Sequence, residues 1–213
     1  MNKALLALAI ALVAAGSANA GTGYSAKVTN PWFPLAPGTT HAYIGEKDGK
    51  PARDIVTVTR RTKTIEGAPC VVVSDRLYLA GHLAERTTDY YSQDAAGNVW
   101  YFGEDTAELN AQAHVTSTEG TWQAGVGGAK PGILMPAHPR VGQTGLSEYY
   151  KGQAEDHWRV ARYLGPNALL MEEWTPLEPG VLDHKTYVRG VGTVLERTVK
   201  GGDELDELIS VTR

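Results

Sequence analysis

The sequence predicts an all-β protein in which one antiparallel sheet forms a barrel or is strongly curved. Apolar and polar side chains alternate with a period of two, as in DIVTVTRRTKTI at residues 54–65. Breaks rich in Gly, Pro and Asn separate such runs at short intervals, for example at residues 165–167 and 178–180. This combination is typical of sandwiches and barrels, and we expect roughly ten strands.

The chain begins with a pattern typical of a secretory signal peptide. Lys3 supplies a positive start, residues 4–15 are continuously apolar, and residues 18–20 (Ala-Asn-Ala) form a small-x-small cleavage site. We expect cleavage after Ala20 and assign residues 1–20 to the signal peptide. The mature protein is then secreted or periplasmic and has no membrane segment, since its apolar runs are too short to span a bilayer.

Residues 21–213 are expected to form a single β-rich domain, because no stretch of linker composition divides them. The net charge of −4 argues against a nucleic-acid partner, which requires a basic surface. Cys70 is the one cysteine of the chain, so an internal disulfide is excluded and the thiol is expected to be buried.

Along the chain, three prolines keep residues 30–38 (NPWFPLAPG) extended, and we expect their aromatic side chains to cover one end of the domain. Alternating runs at residues 54–65 and 69–79 come next. A hairpin is then predicted from ERTTDYYSQD and VWYFGED, joined by AAGN. Five further alternating runs complete the chain: HWRVARYL, NALLMEEWTPL, HKTYVRG, GTVLERTV and ELISVTR.

Residues 117–145 interrupt this pattern. They are rich in Gly and Pro but also carry apolar side chains, including Trp122. We interpret them as one long ordered loop that folds over the sheet, because long loops in compact domains usually serve a function.

Alternation assigns the hairpin side chains to two faces. One face carries carboxylates and phenols: Glu85, Asp89, Tyr91 and Tyr101. The other is aromatic: Tyr90, Trp100 and Phe102. The aromatic face is expected in the core. The mixed face has two interpretations. It lies in solvent, or it lines a pocket together with Trp122 for a small polar or carbohydrate ligand. The pocket is chemically plausible because aromatic rings stack on sugars and carboxylates accept hydrogen bonds from hydroxyl groups.

Catalytic groups cannot be assigned from a motif, and whether the protein is an enzyme stays open. The candidates are acids, a phenol and an imidazole that could act as acid or base: Glu119, Glu148, Tyr149 and His138. No cofactor and no metal is expected, because the histidines are scattered without ligand spacing. Glu104 and Asp105 are weak candidates for a cation site.

Four blocks of the chain resemble a group of secreted bacterial β-rich proteins of unassigned function. The blocks are NPWFPLAPGTT, DYYSQDAAGNVWYFGEDT, STEGTWQAGVGGAKPGILMPAHPRVG and EYYKGQAED. This resemblance implies no activity, so no catalytic residue is transferred. RGVGTVLERTV is similar to the last strands of lipocalin-like and half-barrel envelope proteins, which implies a fold alone.

Three hypotheses follow. The first is a secreted binding module that holds a small polar or carbohydrate ligand in the barrel beneath residues 117–145. The alternative is an extracytoplasmic hydrolase or lyase that acts on glycans through Glu or Asp with Tyr or His. The third is a structural envelope protein without a small ligand. The oligomeric state does not follow from the sequence.

Overall fold

The computed structural model describes residues 23–213, which are all-β, as predicted, and contain no helix. Eight strands make up the first part: β1 Tyr24–Ser25, β2 Thr40–Lys47, β3 Lys50–Ile65, β4 Ala68–Leu79, β5 His82–Asp94, β6 Val99–Leu109, β7 Val115–Ser117 and β8 Trp122–Gln123. Eight follow: β9 Lys130–Met135, β10 Thr144–Leu146, β11 Glu148–Tyr149, β12 His157–Gly165, β13 Ala168–Trp174, β14 Leu182–Val188, β15 Gly192–Lys200 and β16 Leu205–Thr212. Within this part of the chain, no helix has the length and hydropathy needed to cross a membrane.

The strands form a nearly closed antiparallel barrel. Its order is β10-β12-β13-β14-β15-β16-β2-β3-β4-β5-β6-β9-β11, with β1 beside β5 and with β7 and β8 beside β6. Most neighbours are consecutive in the chain and are joined by tight turns. Pairing of β16 with β2 brings the C-terminal strand back to the start of the sheet.

The two ends of the sheet meet at residues 144–149. β10 pairs with β12 and β11 pairs with β9, so one short segment contacts both ends. The Trp158 indole N–H donates a hydrogen bond to the Ile133 carbonyl at 2.5 Å. A Cβ at Gly132 would lie 2.3 Å from the Leu146 carbonyl oxygen. This seam between the ends therefore requires glycine for close backbone approach.

Residues 23–213 form sixteen strands rather than roughly ten. The difference arises mainly in residues 115–149, which form the five short strands β7 to β11. Four of these strands have only two or three residues and no readable alternation, so the sequence predicted one long loop there. The segment follows the sheet beside β6 and forms part of the wall, instead of lying over the barrel as a separate roof.

Apolar side chains fill one end of the barrel interior, and residues 28–35 lie across that end. Trp32 is only 2% exposed and belongs to the interior core with Val58, Val71 and Trp158. The backbone N–H of Gly190, in the β14–β15 turn, donates a hydrogen bond to the Pro31 carbonyl at 2.7 Å. These contacts fix the proline-rich segment against the strand ends. The segment is not extended as predicted, because Val28 pairs with Leu35 and the Phe33 N–H donates a hydrogen bond to the Asn30 carbonyl at 3.3 Å.

A second core lies on the outer face of β3 to β6. It includes Cys70, Tyr90 and Phe102, and residues of the 117–145 segment cover it through Trp122. The Cys70 thiol is fully buried, and burial raises its pKa to about 12. A thiol in this environment is inert and serves as a small apolar side chain.

Candidate functional site

The barrel interior contains a central, half-open cavity of about 200 Å³. Its apolar wall consists of Phe33, Leu35, Val56, Val73, Tyr91, Leu134 and Tyr187. Its polar wall consists of Tyr43, Asp54, Asp75, Asp89, Lys185, Thr193, Glu196 and Asp206. The cavity therefore combines aliphatic and aromatic side chains with five carboxyls and one lysine.

The charged wall arises because interior positions change from apolar to acidic along single strands. On β3, Val58 and Val56 face the interior, and Asp54 follows at the same spacing of two. On β4 the same face carries Val71, Val73 and then Asp75. The valines join the core and the acids end in the cavity.

A β-bulge in β6 adds Glu104 to the acidic side of the barrel. Tyr91 pairs with Tyr101 and Asp89 pairs with Glu104, so β6 has one residue more between these pairs than β5. Gly103 lies in the extra stretch with φ +138°, a conformation that favours glycine. Strict alternation would place Tyr101 and Glu104 on opposite faces, and the bulge places them on one.

Asp89 is the most buried carboxyl of the cavity, with 7% of its surface exposed. The Tyr101 hydroxyl donates a hydrogen bond of 2.6 Å to its Oδ1 atom. The Tyr91 ring stacks on the Tyr101 ring with their centroids 4.7 Å apart. Asp89 and Tyr91 thus line the cavity, and Tyr101 supports both from behind.

Burial is the main cause of raised carboxyl pKa values in this region. It raises the pKa of Asp89 to about 7, and the charge of Asp54 adds to the effect. The pKa of Glu196 and the pKa of Asp206 are each about 7. Burial and a hydrogen bond with Asp54 raise the pKa of Asp75 well above its usual value. Asp89, Glu196 and Asp206 are therefore partly protonated near neutral pH.

Lys185 balances part of this charge. Its Nζ lies 2.9 Å from Glu173 and 3.2 Å from Glu196. Although burial alone would lower the pKa of Lys185, the surrounding carboxylates raise it well above its usual value. The lysine stays charged, and its contacts with these two glutamates occupy it.

A second, acidic cleft of about 500 Å³ lies near the barrel wall. Its carboxyls are Glu104, Glu108, Glu119, Glu148, Asp156 and Glu178. Burial and then the charges of Asp156 and Glu104 raise the pKa of Glu148 well above its usual value. Burial and the charge of Asp89 raise the pKa of Glu104 to about 8, so the cleft and the central cavity are electrostatically linked.

The structure brings together only some of the catalytic candidates. Glu119 and Glu148 line the same acidic cleft. Tyr149 follows Glu148 on β11, and its ring instead contacts Lys130, whose Nζ lies 5.9 Å from the ring centroid. His138 is exposed and lines a separate cavity beside Trp32. Tyr149 and His138 are therefore not placed to act together with the two glutamates.

Only some of the residues predicted to bind ligand line the central cavity. Asp89 and Tyr91 line the central cavity, whereas Glu85 does not, and its carboxylate accepts a hydrogen bond from Thr87 at 3.2 Å. Trp122 is 3% exposed and packs edge-on against Tyr101 in the outer core, with ring centroids 5.5 Å apart. It supports the wall of the cavity without lining it.

Glu104 and Asp105 do not form a cation site together. They are consecutive on β6 and point to opposite faces, with Asp105 exposed. Among residues 23–213, no group of three or more His, Cys, Asp or Glu side chains is placed to hold a metal ion.

Most of the polar wall was missed by the sequence reasoning: Tyr43, Asp54, Asp75, Lys185, Glu196 and Asp206. Asp54 and Asp75 did carry a usable signal, because each continues the period-two apolar face of its own strand. An acid in register with core valines indicates an interior carboxyl. Glu196 lacked that signal, because a bulge in β15 lies between it and Thr193, which also lines the cavity.

No family model and no curated protein matches the chain. A solved structure described as a "putative lipoprotein" from Parabacteroides distasonis ATCC 8503 is similar at 10% sequence identity. The match covers 86% of this chain and 99% of that one, with a TM-score of 0.41.

Proposed function

We propose that this protein is a secreted binding module that holds a small polar ligand in the central cavity of its barrel. The observation that carries the proposal is the half-open cavity of about 200 Å³ with one apolar and one acidic wall. Ligand sites in barrels have this composition, in which apolar surface contributes affinity and a few polar groups fix orientation. The proposed ligands are those predicted from the sequence, namely small polar molecules that include carbohydrates.

Secretion is part of the proposal and depends on the sequence of residues 1–20. These residues lie outside the described part of the chain, so their cleavage after Ala20 stays a prediction. N-terminal sequencing of the protein isolated from a periplasmic or culture fraction tests it. A mature chain that begins at Gly21 is the expected result.

Thermal shift of the mature chain tests binding directly. A panel of sugars, uronates, amines and divalent cations should contain ligands that raise the melting temperature with concentration, because binding to the folded state alone stabilises it. Val56→Phe fills the cavity from its apolar wall and should abolish the shift. Ile55→Phe, the adjacent position outside the cavity lining, is the matched control. If no panel member shifts the wild type, the binding proposal is wrong.

One observation favours an enzyme as the second candidate. Asp89 and Glu104 are cross-strand partners, and burial raises their pKa values to about 7 and about 8. Carboxyls that hold a proton near neutral pH are the general acids of glycosidases. Turnover on a glycan panel that disappears in Glu104→Gln, but persists in Asp105→Asn, would support this candidate. Glu119→Gln and Glu148→Gln test the acidic cleft in the same assay.

A further inference from the structure

We propose that the ligand of the central cavity is an organic ammonium compound with an apolar body. Its cationic nitrogen lies among the carboxyls of the polar wall, and its body lies against the aromatic rings opposite. This inference rests on the proposed binding function and specifies the chemical class of ligand.

Charge is the first argument. Five carboxyls line the cavity, on β3, β4, β5, β15 and β16, and Lys185 is the one cationic side chain among the lining residues. Its nitrogen is already held between Glu173 and Glu196. Like charges brought together in a buried space disfavour ionisation, so a ligand that supplies positive charge is favoured over a neutral one.

Unpaired oxygen atoms are the second argument. Asp89 is more than nine-tenths buried, and its Oδ1 accepts a hydrogen bond from the Tyr101 hydroxyl. Oδ1 of Asp206 is buried without a hydrogen-bond partner within residues 23–213. Oδ1 of Asp54 is also buried, and it is paired with the neighbouring Asp75 carboxyl only when one of the two acids holds a proton. Buried acceptors without donors cost free energy that an ammonium N–H would recover.

The aromatic wall is the third argument. Phe33 packs against Tyr91 with centroids 5.4 Å apart and against Tyr187 at 6.5 Å. All three rings line the cavity. Aromatic faces attract cations and also bury an apolar body. A simple inorganic cation would leave this wall unused, and the acids are spread over five strands without a group placed to hold a metal ion.

Proton release gives a readout specific to this ligand class. Burial raises the pKa values of Asp89, Glu196 and Asp206 to about 7, so these three carboxyls are partly protonated near pH 7. A bound cation favours their ionised forms and therefore displaces protons. The charged and titratable groups on the elements packed around the cavity are Tyr43, Lys47, Asp54, Asp75, Arg76, Glu85, Asp89, Glu104, Glu173, Lys185, Glu196, Glu204 and Asp206.

The test compares a cation with its neutral analogue by isothermal titration calorimetry. 2-Phenylethylamine and 1,5-diaminopentane are the amine probes, 2-phenylethanol is the neutral isostere, and glucose is the polyol. We expect at least one amine to bind at least about tenfold more tightly than the neutral probes, because charge-assisted hydrogen bonds are the strong ones. Amine titrations in two buffers of different ionisation enthalpy should show proton release.

Single substitutions test which carboxyls of the cavity bind the ammonium group. Asp206→Asn and Asp54→Asn should each weaken amine affinity by about tenfold while 2-phenylethanol affinity stays unchanged. Glu207→Gln is the matched control, because Glu207 is the exposed neighbour of Asp206 on β16. Near-ultraviolet circular dichroism verifies that each variant is folded.

The outcomes separate the two proposals. If glucose or 2-phenylethanol binds as tightly as the amines, or if neither amine binds while a neutral probe does, the ammonium assignment is overturned and the binding function stands. Amine affinity that is unchanged in both aspartate variants also overturns the assignment. If no probe or panel member binds, both proposals fail.

Discussion

Replacing Asp89 with Asn should make the protein less sensitive to pH. Burial raises the pKa of Asp89 from 3.8 to about 7, so the folded state binds this proton more tightly than the unfolded state. The contribution of Asp89 to stability is then largest below pH 4 and is lost as the pH rises through 7, because ionising a buried carboxyl costs more free energy than ionising an exposed one. A shift of about three pKa units corresponds to about 4 kcal/mol.

Between pH 5 and pH 7 the contribution of Asp89 to the free energy of unfolding changes by about two of those three units, or about 3 kcal/mol. We therefore expect the free energy of unfolding of the wild type to fall over this interval. In Asp89→Asn the fall should be smaller by about 2 to 3 kcal/mol, since Asn keeps the acceptor for Tyr101 and carries no charge. Urea unfolding followed by tryptophan fluorescence at pH 5, 6, 7 and 8 measures both slopes.

Two further variants complete this experiment. Tyr101→Phe removes the donor that stabilises ionised Asp89, so it should destabilise the protein more at pH 8 than at pH 5. Asp105→Asn, on the exposed face of β6, should leave the slope unchanged. The lowered pKa of His41 opposes the trend, but it acts equally in all these proteins. A wild-type stability that is flat or rises from pH 5 to pH 8 would refute the reasoning, as would an unchanged slope in Asp89→Asn.

Three more predictions concern the framework of the barrel. Gly132→Ala should cost about 2 to 4 kcal/mol of unfolding free energy, because its Cβ meets backbone at the seam, whereas Gly142→Ala, with open space and φ +83°, should cost about 1 to 2 kcal/mol. If urea unfolding shows a larger loss of stability for Gly142→Ala than for Gly132→Ala, the close backbone approach at the seam is not a source of stability. Lys185→Met should lower the free energy of unfolding by about 3 to 5 kcal/mol at pH 8. The loss should be smaller at pH 5, where Glu196 is protonated, and adding Glu196→Gln to the same chain should restore part of it. Equal losses at both pH values would argue against this ion pair. Cys70 should react with a thiol reagent in urea and stay unreactive in the native protein, and rapid native labelling would show that the outer core opens.

The fold class was accessible from the sequence because long strands carry their own pattern. β3, β4 and β5 each show the alternation that a sheet with two distinct faces requires. The short strands β7 to β11 depend on tertiary pairing with β6 and β12, which no local pattern records. The number of strands was therefore underestimated.

The candidate site was accessible only in part. Same-face counting on β5 brought Asp89 and Tyr91 together, and the direct pairing of Tyr91 with Tyr101 follows from the hairpin turn. The opposite side of the cavity comes from β14 to β16, which lie more than ninety residues away in the chain. A contact of that range requires knowledge of how the barrel closes, and sequence periodicity does not contain it.

The bulge at Gly103 also has a consequence for how such barrels diversify. Loss of the extra residue at Gly103 would remove the bulge and leave Glu104 opposite Asp89, because β6 has one residue more than β5 between these pairs. A one-codon deletion at Glu104 would instead place Asp105 opposite Asp89 and move each later residue of β6 to the other face of the sheet. Ligand preference in this architecture can thus change through an insertion or deletion in one strand, without any substitution in the cavity lining.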